Sequence, residues 1–456
     1  MDGLTATDSS PGLMPSNGFP KKAVFLPIAA ILLLSLQFQT LPIRIQIQSL
    51  PLTTVFALLF LPFVIGRIPR SPLLSILAIF FGFVFLHSLI FLLADLFSNQ
   101  PDTRFIAWAR QSFALFAGIV TFLVFRTAFL HVSLQQIFKF IAWGTVPALL
   151  LSVLNILWGA FGQGWAGGIV AGIRDFMSPD GYTSPLRATG FATEPAALAT
   201  SLVVTLLPVL FVYFGQKRNR FWTIALLILA TASFMWTFST VGLLLMLGVL
   251  GAGLFFGPKK KIILLVFTLF VGATLMVTVL FPSNQILRHA GTIAAGRANV
   301  SFTDRFYSAV GPFMEGLSSY SIVGYGLGGI STHFREVLPT QFQAEILATK
   351  WKEFPNLAIL FGRVFAETGA IGFVLFLTAI YMTFRQLKFI MRNDTVAGSA
   401  LTYSSIRLGL IASCLALLIS VGPYHTPYVW IWMAVIDAKY VLSTQKAYRG
   451  ENVRND

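Results

Sequence analysis

Charge is scarce in this sequence: only 11% of its 456 residues are Asp, Glu, Lys or Arg, while 56% are hydrophobic. A water-soluble chain of this length needs far more charge to cover its surface, which excludes a soluble globular protein. Cysteine is scarcer still. The single Cys414 lies in an apolar run, which rules out an intramolecular disulfide and a cysteine metal cluster. The alternation of apolar and polar residues that a membrane β-strand requires is also missing, so helices are the spanning elements.

What is present is a succession of apolar runs of roughly 18 residues or more, the length of helix that crosses hydrocarbon. They predict an all-α polytopic transmembrane bundle of about twelve spans, near 22–38, 52–66, 72–94, 105–125, 137–158, 193–215, 220–236, 239–257, 261–281, 357–384, 403–421 and 425–443. Pro62, Pro147 and Pro208 fall inside three of these runs and predict tilts and kinks. Residues 1–21 are polar and rich in turn formers, and read as a disordered cytosolic tail. No small-residue cleavage site follows the first apolar run, so it reads as a retained helix. Residues 444–456 form a second cytosolic tail.

The net charge of +15 would suit nucleic acid if the basic residues formed one patch, but they are dispersed among short loops, and no nucleic-acid partner is expected. Every second short loop is basic: Arg67/Arg70, Arg126/Lys139, Lys217/Arg218/Arg220, Lys259/Lys260/Lys261 and Arg385/Lys388/Arg392. That asymmetry places these loops and both termini in the cytosol. Segments 159–192 and 282–356 then face outward, and the second is a large, helical loop between the ninth and tenth spans. Asp175, Asp180, Glu194, Asp304, Glu315, Glu336, Glu345, Glu353 and Glu367 lie in or beside these two segments, whereas the cytosolic loops hold almost no acid beyond Asp394. A cytosolic nucleotide-sugar site would need Mg²⁺-binding carboxylates or a glycine-rich phosphate loop with lysine. Neither is there. Chemistry, if any, belongs to the outer face.

Four outer stretches carry candidate residues. In Arg187-Ala-Thr-Gly-Phe-Ala-Thr-Glu194-Pro195, Thr193 suits an N-cap and Glu194 a first helical turn, where a negative charge is favoured whatever its function. Arg187 is a natural phosphate ligand, being bidentate and always charged. In 301–317, Thr303 caps an amphipathic helix with Arg305 in its first turn. The turn Gly324-Tyr325-Gly326-Leu-Gly328-Gly329 that follows is either a bland turn or a phosphate cradle, and His333 lies just beyond it. A helix opening near Thr340 presents Lys350, Lys352 and Glu353 on a solvated face. Finally, Arg363 and Glu367 stand four residues apart in an apolar run, a matched pair at helical spacing facing the bundle.

These residues resemble a known family. The run R-x-x-G-x-x-x-E-P at Arg187–Pro195, the G-x-G-x-G turn at Gly324–Gly328, the E-x-G-x-x-G helix at Glu367–Gly372 and the spacing Arg305-x10-Gly316 look like the outer-loop signatures of bacterial O-antigen and exopolysaccharide polymerases, in the O-antigen ligase/polymerase superfamily. The motifs cover roughly residues 180–385. The histidine that many members, above all the ligases, carry before the Asn opening the tenth span is Pro355 here.

The resemblance implies a GT-C-like, metal-independent inverting glycosyltransferase of the bacterial inner membrane with no cofactor. It would move a glycan from undecaprenyl pyrophosphate to a sugar hydroxyl of another lipid-linked repeat unit, with membrane lipids, a flippase and a chain-length regulator as further partners. It implies Arg187 and Arg305 on the pyrophosphate, Glu194, Glu353 or His333 as proton acceptor, and Tyr325, Arg363 and Glu367 on the lipid pyrophosphate or glycan. An O-antigen ligase passing glycan to lipid A-core, or a secondary transporter or flippase of twelve spans, are the alternatives.

The basic-loop asymmetry predicts that a cysteine replacing Ser319, on a Cys414→Ser background, reacts with a membrane-impermeant thiol reagent in intact cells, whereas one replacing Lys260 reacts only after the cells are opened. The opposite pattern would invert the topology.

Overall fold

A computed structural model describes residues 21–39, 50–97, 101–177, 187–192, 194–216, 220–256, 322–329, 359–394 and 399–448, with scattered positions in 260–276 and 310–313. Every regular element among the described residues is helical: α1 (Lys21–Leu34), α2 (Leu52–Val64), α3 (Pro72–Phe97), α4 (Pro101–Phe129), α5 (Leu134–Phe161), α6 (Gly164–Met177), α7 (Pro195–Ser201), α8 (Leu207–Gln216), α9 (Arg220–Trp236), α10 (Thr240–Phe256), α11 (Leu360–Asn393), α12 (Ser399–Ile419) and α13 (Pro427–Tyr448). Among the described residues, six stretches are long and apolar enough to cross a membrane: Pro72–Ala94, Phe105–Phe129, Leu134–Phe161, Pro195–Gln216, Leu360–Asn393 and Ala400–Ile419. The chain is a helical membrane protein. Ala23–Leu34, Leu52–Arg67, Arg220–Trp236 and Thr240–Phe255 are apolar but shorter. Of the segments predicted from sequence, most of the ninth span and most of 282–356 lie outside the described residues.

Local sequence explains where the helices stop and bend. α5 opens on a capping box: the Gln136 N–H donates to Ser133 Oγ, and the Ser133 N–H donates to Gln136 Oε1 at 3.1 Å. It closes on Gly162 at φ 66°, the left-handed position that glycine adopts without strain. Segment 159–192, which reads as a loop, contains the helix α6. α7 and α8 form one continuous helix through a π turn at Leu202–Leu206. Pro208 accounts for the irregularity. It has no N–H to give the carbonyl four residues back, that of Val204, and the Trp432 indole N–H donates to that oxygen instead, at 2.7 Å.

The core is built around α13, which packs most extensively on α4 and also against α11 and α12. Every residue from Tyr424 to Ala438 is buried, so this helix touches its neighbours on all sides. Asp437 therefore sits where an unpaired carboxylate would be prohibitive. Its oxygens accept from Ser71 Oγ (2.8 Å), from Gln386 Nε2 (2.6 Å) and from Arg126 Nε, an ion pair with both side chains fully buried. One side chain thus joins the start of α3, the end of α4, and α11 to α13. Two residues on, Lys439 Nζ donates to the carbonyls of Phe129 and Val132 (3.1 and 2.8 Å), closing the C-terminal end of α4.

Asp437→Ala should lower stability by about 3–5 kcal/mol, because it strands the Arg126 charge in the bundle. The double variant Arg126→Met/Asp437→Leu should cost less than Asp437→Ala alone, measured by thermal unfolding of the detergent-purified protein. A double variant as damaged as the single one would mean that the charge pairing is not what joins these helices.

Candidate functional site

Glu194 is the exposed ionisable group at the head of α7. With φ −145° and ψ 160°, it is itself the N-cap, and its carbonyl accepts the N–H groups of Ala197 and Leu198 (3.1 and 3.3 Å). This corrects the expectation that Thr193 caps the helix. Pro195 occupies the first helical position, and a residue before proline is driven into the extended region, which is the N-cap conformation. The carboxylate makes no capping hydrogen bond. Being exposed, it stays in contact with solvent. Tyr428, buried in the first turn of α13, lies within electrostatic range of it.

The loop leading to Glu194 is braced from several directions. Arg187 Nε donates to the Thr237 carbonyl at 2.9 Å and Nη2 to that of Phe238 at 3.4 Å, while the Ala188 N–H donates to the Trp236 carbonyl at 2.9 Å. Arg187 thereby holds the three-residue link between α9 and α10, whose Phe238 sits at φ 46°, in a region that bulky residues seldom adopt. Arg174 of α6, 2% exposed, donates from Nη1 to the Ala192 carbonyl at 2.6 Å. The Phe38 and Phe191 rings stack at 4.3 Å. The predicted phosphate ligand Arg187 is thus half-buried and partly committed to fixing the backbone around the site.

The second cluster lies where α11 is interrupted. Gly369 has φ 63° and ψ −167°, which breaks the helical ladder. The Gly324–Gly329 turn docks into this break. Tyr325 N–H donates to the Ala366 carbonyl (2.8 Å) and Gly326 N–H to the Glu367 carbonyl (2.9 Å). Leu327 N–H donates to Ser88 Oγ (2.8 Å), and Gly328 N–H to Glu367 Oε1 (3.1 Å). Four successive amides are therefore committed to protein acceptors, the arrangement of a docking turn and not of an open phosphate cradle. Glycine is obligatory on both sides of the contact. Gly324, Gly326 and Gly328 all have φ between 72° and 74°, and a Cβ on Gly328 would press into the backbone of Ala107 and Trp108 at 2.6–2.8 Å.

Glu367 is wholly buried, and its second oxygen accepts from the Tyr424 hydroxyl at 2.8 Å. Arg363, 2% exposed, donates to Gln111 Oε1 at 3.4 Å and lies in electrostatic range of Glu367 and Tyr424. Tyr325, Arg363 and Glu367, predicted to touch substrate, are all placed inside the bundle. Arg305, His333 and Glu353 lie outside the described residues.

Sequence reasoning missed Tyr424, His425 and Arg174. Tyr424 and His425 belong to the short link between α12 and α13, which carries no charge and drew no notice. Yet this link meets α2 through Thr54 Oγ1 donating to the His425 carbonyl (3.2 Å), and α7 through Thr200 and Ser420 (2.5 Å). It reaches α11 through Leu360 N–H donating to the Val421 carbonyl. Its Tyr424 end holds the Glu367 cluster, and Tyr428, just beyond it, neighbours Glu194. A Pro-Tyr-His-Thr run between the last two apolar stretches was the available signal.

Gly369→Ala should lower the unfolding temperature strongly, since φ 63° strains an L-residue and the new Cβ would meet the backbone of Ile322 and Val323. Tyr424→Phe should cost about 1–3 kcal/mol by removing one donor to a buried carboxylate. Gly82→Ala, in open space on α3, should be neutral or stabilising. Equal effects at Gly369 and Gly82 would refute the docked-turn description.

Compared with known proteins, this chain matches no protein-family model and no curated protein sequence.

Proposed function

We propose that this protein is a polysaccharide polymerase of the bacterial inner membrane, with Glu194 as its general base. The exposed Glu194 carboxylate, set on a loop braced by Arg187 and Arg174 at the end of a helix long and apolar enough to cross a membrane, is the observation that carries the reading. The reaction joins an acceptor sugar hydroxyl of one lipid-linked repeat unit to the anomeric carbon of a glycan on undecaprenyl pyrophosphate, at the periplasmic face. The new C–O bond forms as the anomeric carbon–pyrophosphate bond breaks, with inversion. The hydroxyl proton passes to Glu194, and the pyrophosphate departs with the bonding electron pair. Arg305 and the loop of Arg187 supply the cationic surroundings that a pyrophosphate leaving group requires. Glu367 acts from within, holding the glycine turn of Tyr325 through the Gly328 amide, with Arg363 in electrostatic range of it.

The interruption of α11 at Gly369 favours a second reading, since transporters place substrate at broken helices. Against it stands the occupancy of that break by the glycine turn, whose amides take up the freed carbonyls.

With purified protein and lipid-linked repeat units, in the presence of EDTA, Glu194→Gln should lower the polymerisation rate by about 10²–10⁴-fold without loss of folded protein. Arg187→Ala and Arg305→Ala should abolish or severely reduce product and Arg187→Lys should restore only part of it, while Lys350→Ala and Lys352→Ala change little. Polymer formed by Glu194→Gln at the unaltered rate would remove the proposed base. Similar rates for all four alanine variants would shift the balance to transport.

A further inference from the structure

α6 is built inside out for a helix in water. Its exposed side carries Trp165 (58% exposed), Ile169 (43%) and Phe176 (69%), at intervals that place them on one face. Its buried side carries Ala166, Gly167, Val170 and the arginine Arg174, 2% exposed. A helix on a water-facing surface hides its large apolar side chains and shows its charges. This one does the reverse, which is the arrangement expected where the surrounding medium is hydrocarbon.

Its length and position define what that medium is. Fourteen residues make a helix of about 21 Å, short of the roughly 30 Å of a hydrocarbon core. It folds back directly from the end of the membrane-length helix α5 through Gly162 and lies against it. At Gly167 a Cβ would press into the Trp158 indole at 2.6–2.8 Å, so only glycine permits this approach. Trp165 stands at one end of the exposed face, an amphipathic ring of the kind enriched at the membrane boundary. At the other end Asp175 is exposed beside Phe176 and holds the last turn at the water boundary.

We propose that α6 is a lipid-docking helix, its Trp165–Ile169–Phe176 face lying among the upper acyl chains of the leaflet on the Glu194 side. Arg174 gives this contact its consequence. Its guanidinium faces away from lipid and bonds the Ala192 carbonyl (2.6 Å) and that of Gly190 (3.5 Å), two and four residues before Glu194. A helix seated in the leaflet thereby sets the height of the Arg187–Glu194 loop at the membrane surface, where a substrate carried on a lipid presents its headgroup. The lipid contact stands whether or not the polymerase reading holds.

The test uses the full chain in proteoliposomes of phosphatidylcholine and phosphatidylglycerol, on a Cys414→Ser background. Single cysteines replace Trp165, Ile169 or, as an aqueous reference, Gln135 at the far end of α5, and each carries an environment-sensitive fluorophore. At Trp165 and Ile169 the emission should shift to the blue. Its intensity should fall with lipids spin-labelled on the acyl chain, more for a label near the headgroup than for one near the chain end, and resist soluble iodide. Gln135 should show the opposite pattern. Quenching at Ile169 by iodide but not by labelled lipid would overturn the proposal by placing α6 in water. Insensitivity to both would overturn it by showing that protein, from this chain or a second copy, covers the face. Stronger quenching by the deep label would overturn the interfacial placement.

Discussion

A backbone N–H or C=O left without a partner in a bundle surrounded by hydrocarbon costs several kcal/mol, and three irregular features among the described residues answer to that constraint. Pro208 frees the Val204 carbonyl, and Trp432 of α13 supplies the missing N–H. Gly369 interrupts α11, and the amides of Tyr325 and Gly326 take the carbonyls of Ala366 and Glu367. The short link after α9 leaves carbonyls at Thr237 and Phe238, and Arg187 donates to both. The positions of α7, α11 and the loops at 187–194 and 324–329 follow from these substitutions as much as from apolar packing.

Because each partner comes from a distant part of the chain, the repairs also tie the architecture together. Trp432 and Asp437 lie on the same central helix. The first secures the π turn that follows Glu194 and α7, and the second joins the start of α3 and the end of α4 to α11. Ahead of both, the Ser420–Thr426 link spans the Glu194 helix and the Glu367 cluster. The buried carboxylates of Glu367 and Asp437 thus each have a donor on both oxygens. Glu194, by contrast, is exposed, which sets it apart from the buried Glu367 and Asp437.

The candidate site was partly legible in advance. Glu194 and Arg187 stood out because an acid and an arginine beside a proline-led apolar run are few in a chain with 11% charge. The spacing of Arg363 and Glu367 announced a helical pair, and α11 carries both in its buried first turns. What spacing does not convey is the third partner: Tyr424, 57 residues beyond Glu367, completes its hydrogen bonds. Arg174 was invisible for the same reason. Read alone, Arg174-Asp175 is a pair of loop charges, and only the fold turns one inward to backbone carbonyls and leaves the other exposed.

Composition by itself determined that the chain is helical and belongs to a membrane, because solvation acts on each residue wherever its neighbours lie, and apolar runs of spanning length admit few outcomes. It also determined which loops are basic, and that glycines cluster at 324–329 and recur at 369 and 372. Tertiary structure alone decided that these two glycine sites are halves of one contact, since a close backbone approach between residues some 40 positions apart leaves no trace in local periodicity. It also decided that segment 159–192 contains a helix with its arginine inward. The alternation on α6 is amphipathic in either medium, and which face is buried depends on α5 and the Gly190–Ala192 carbonyls being there to receive it.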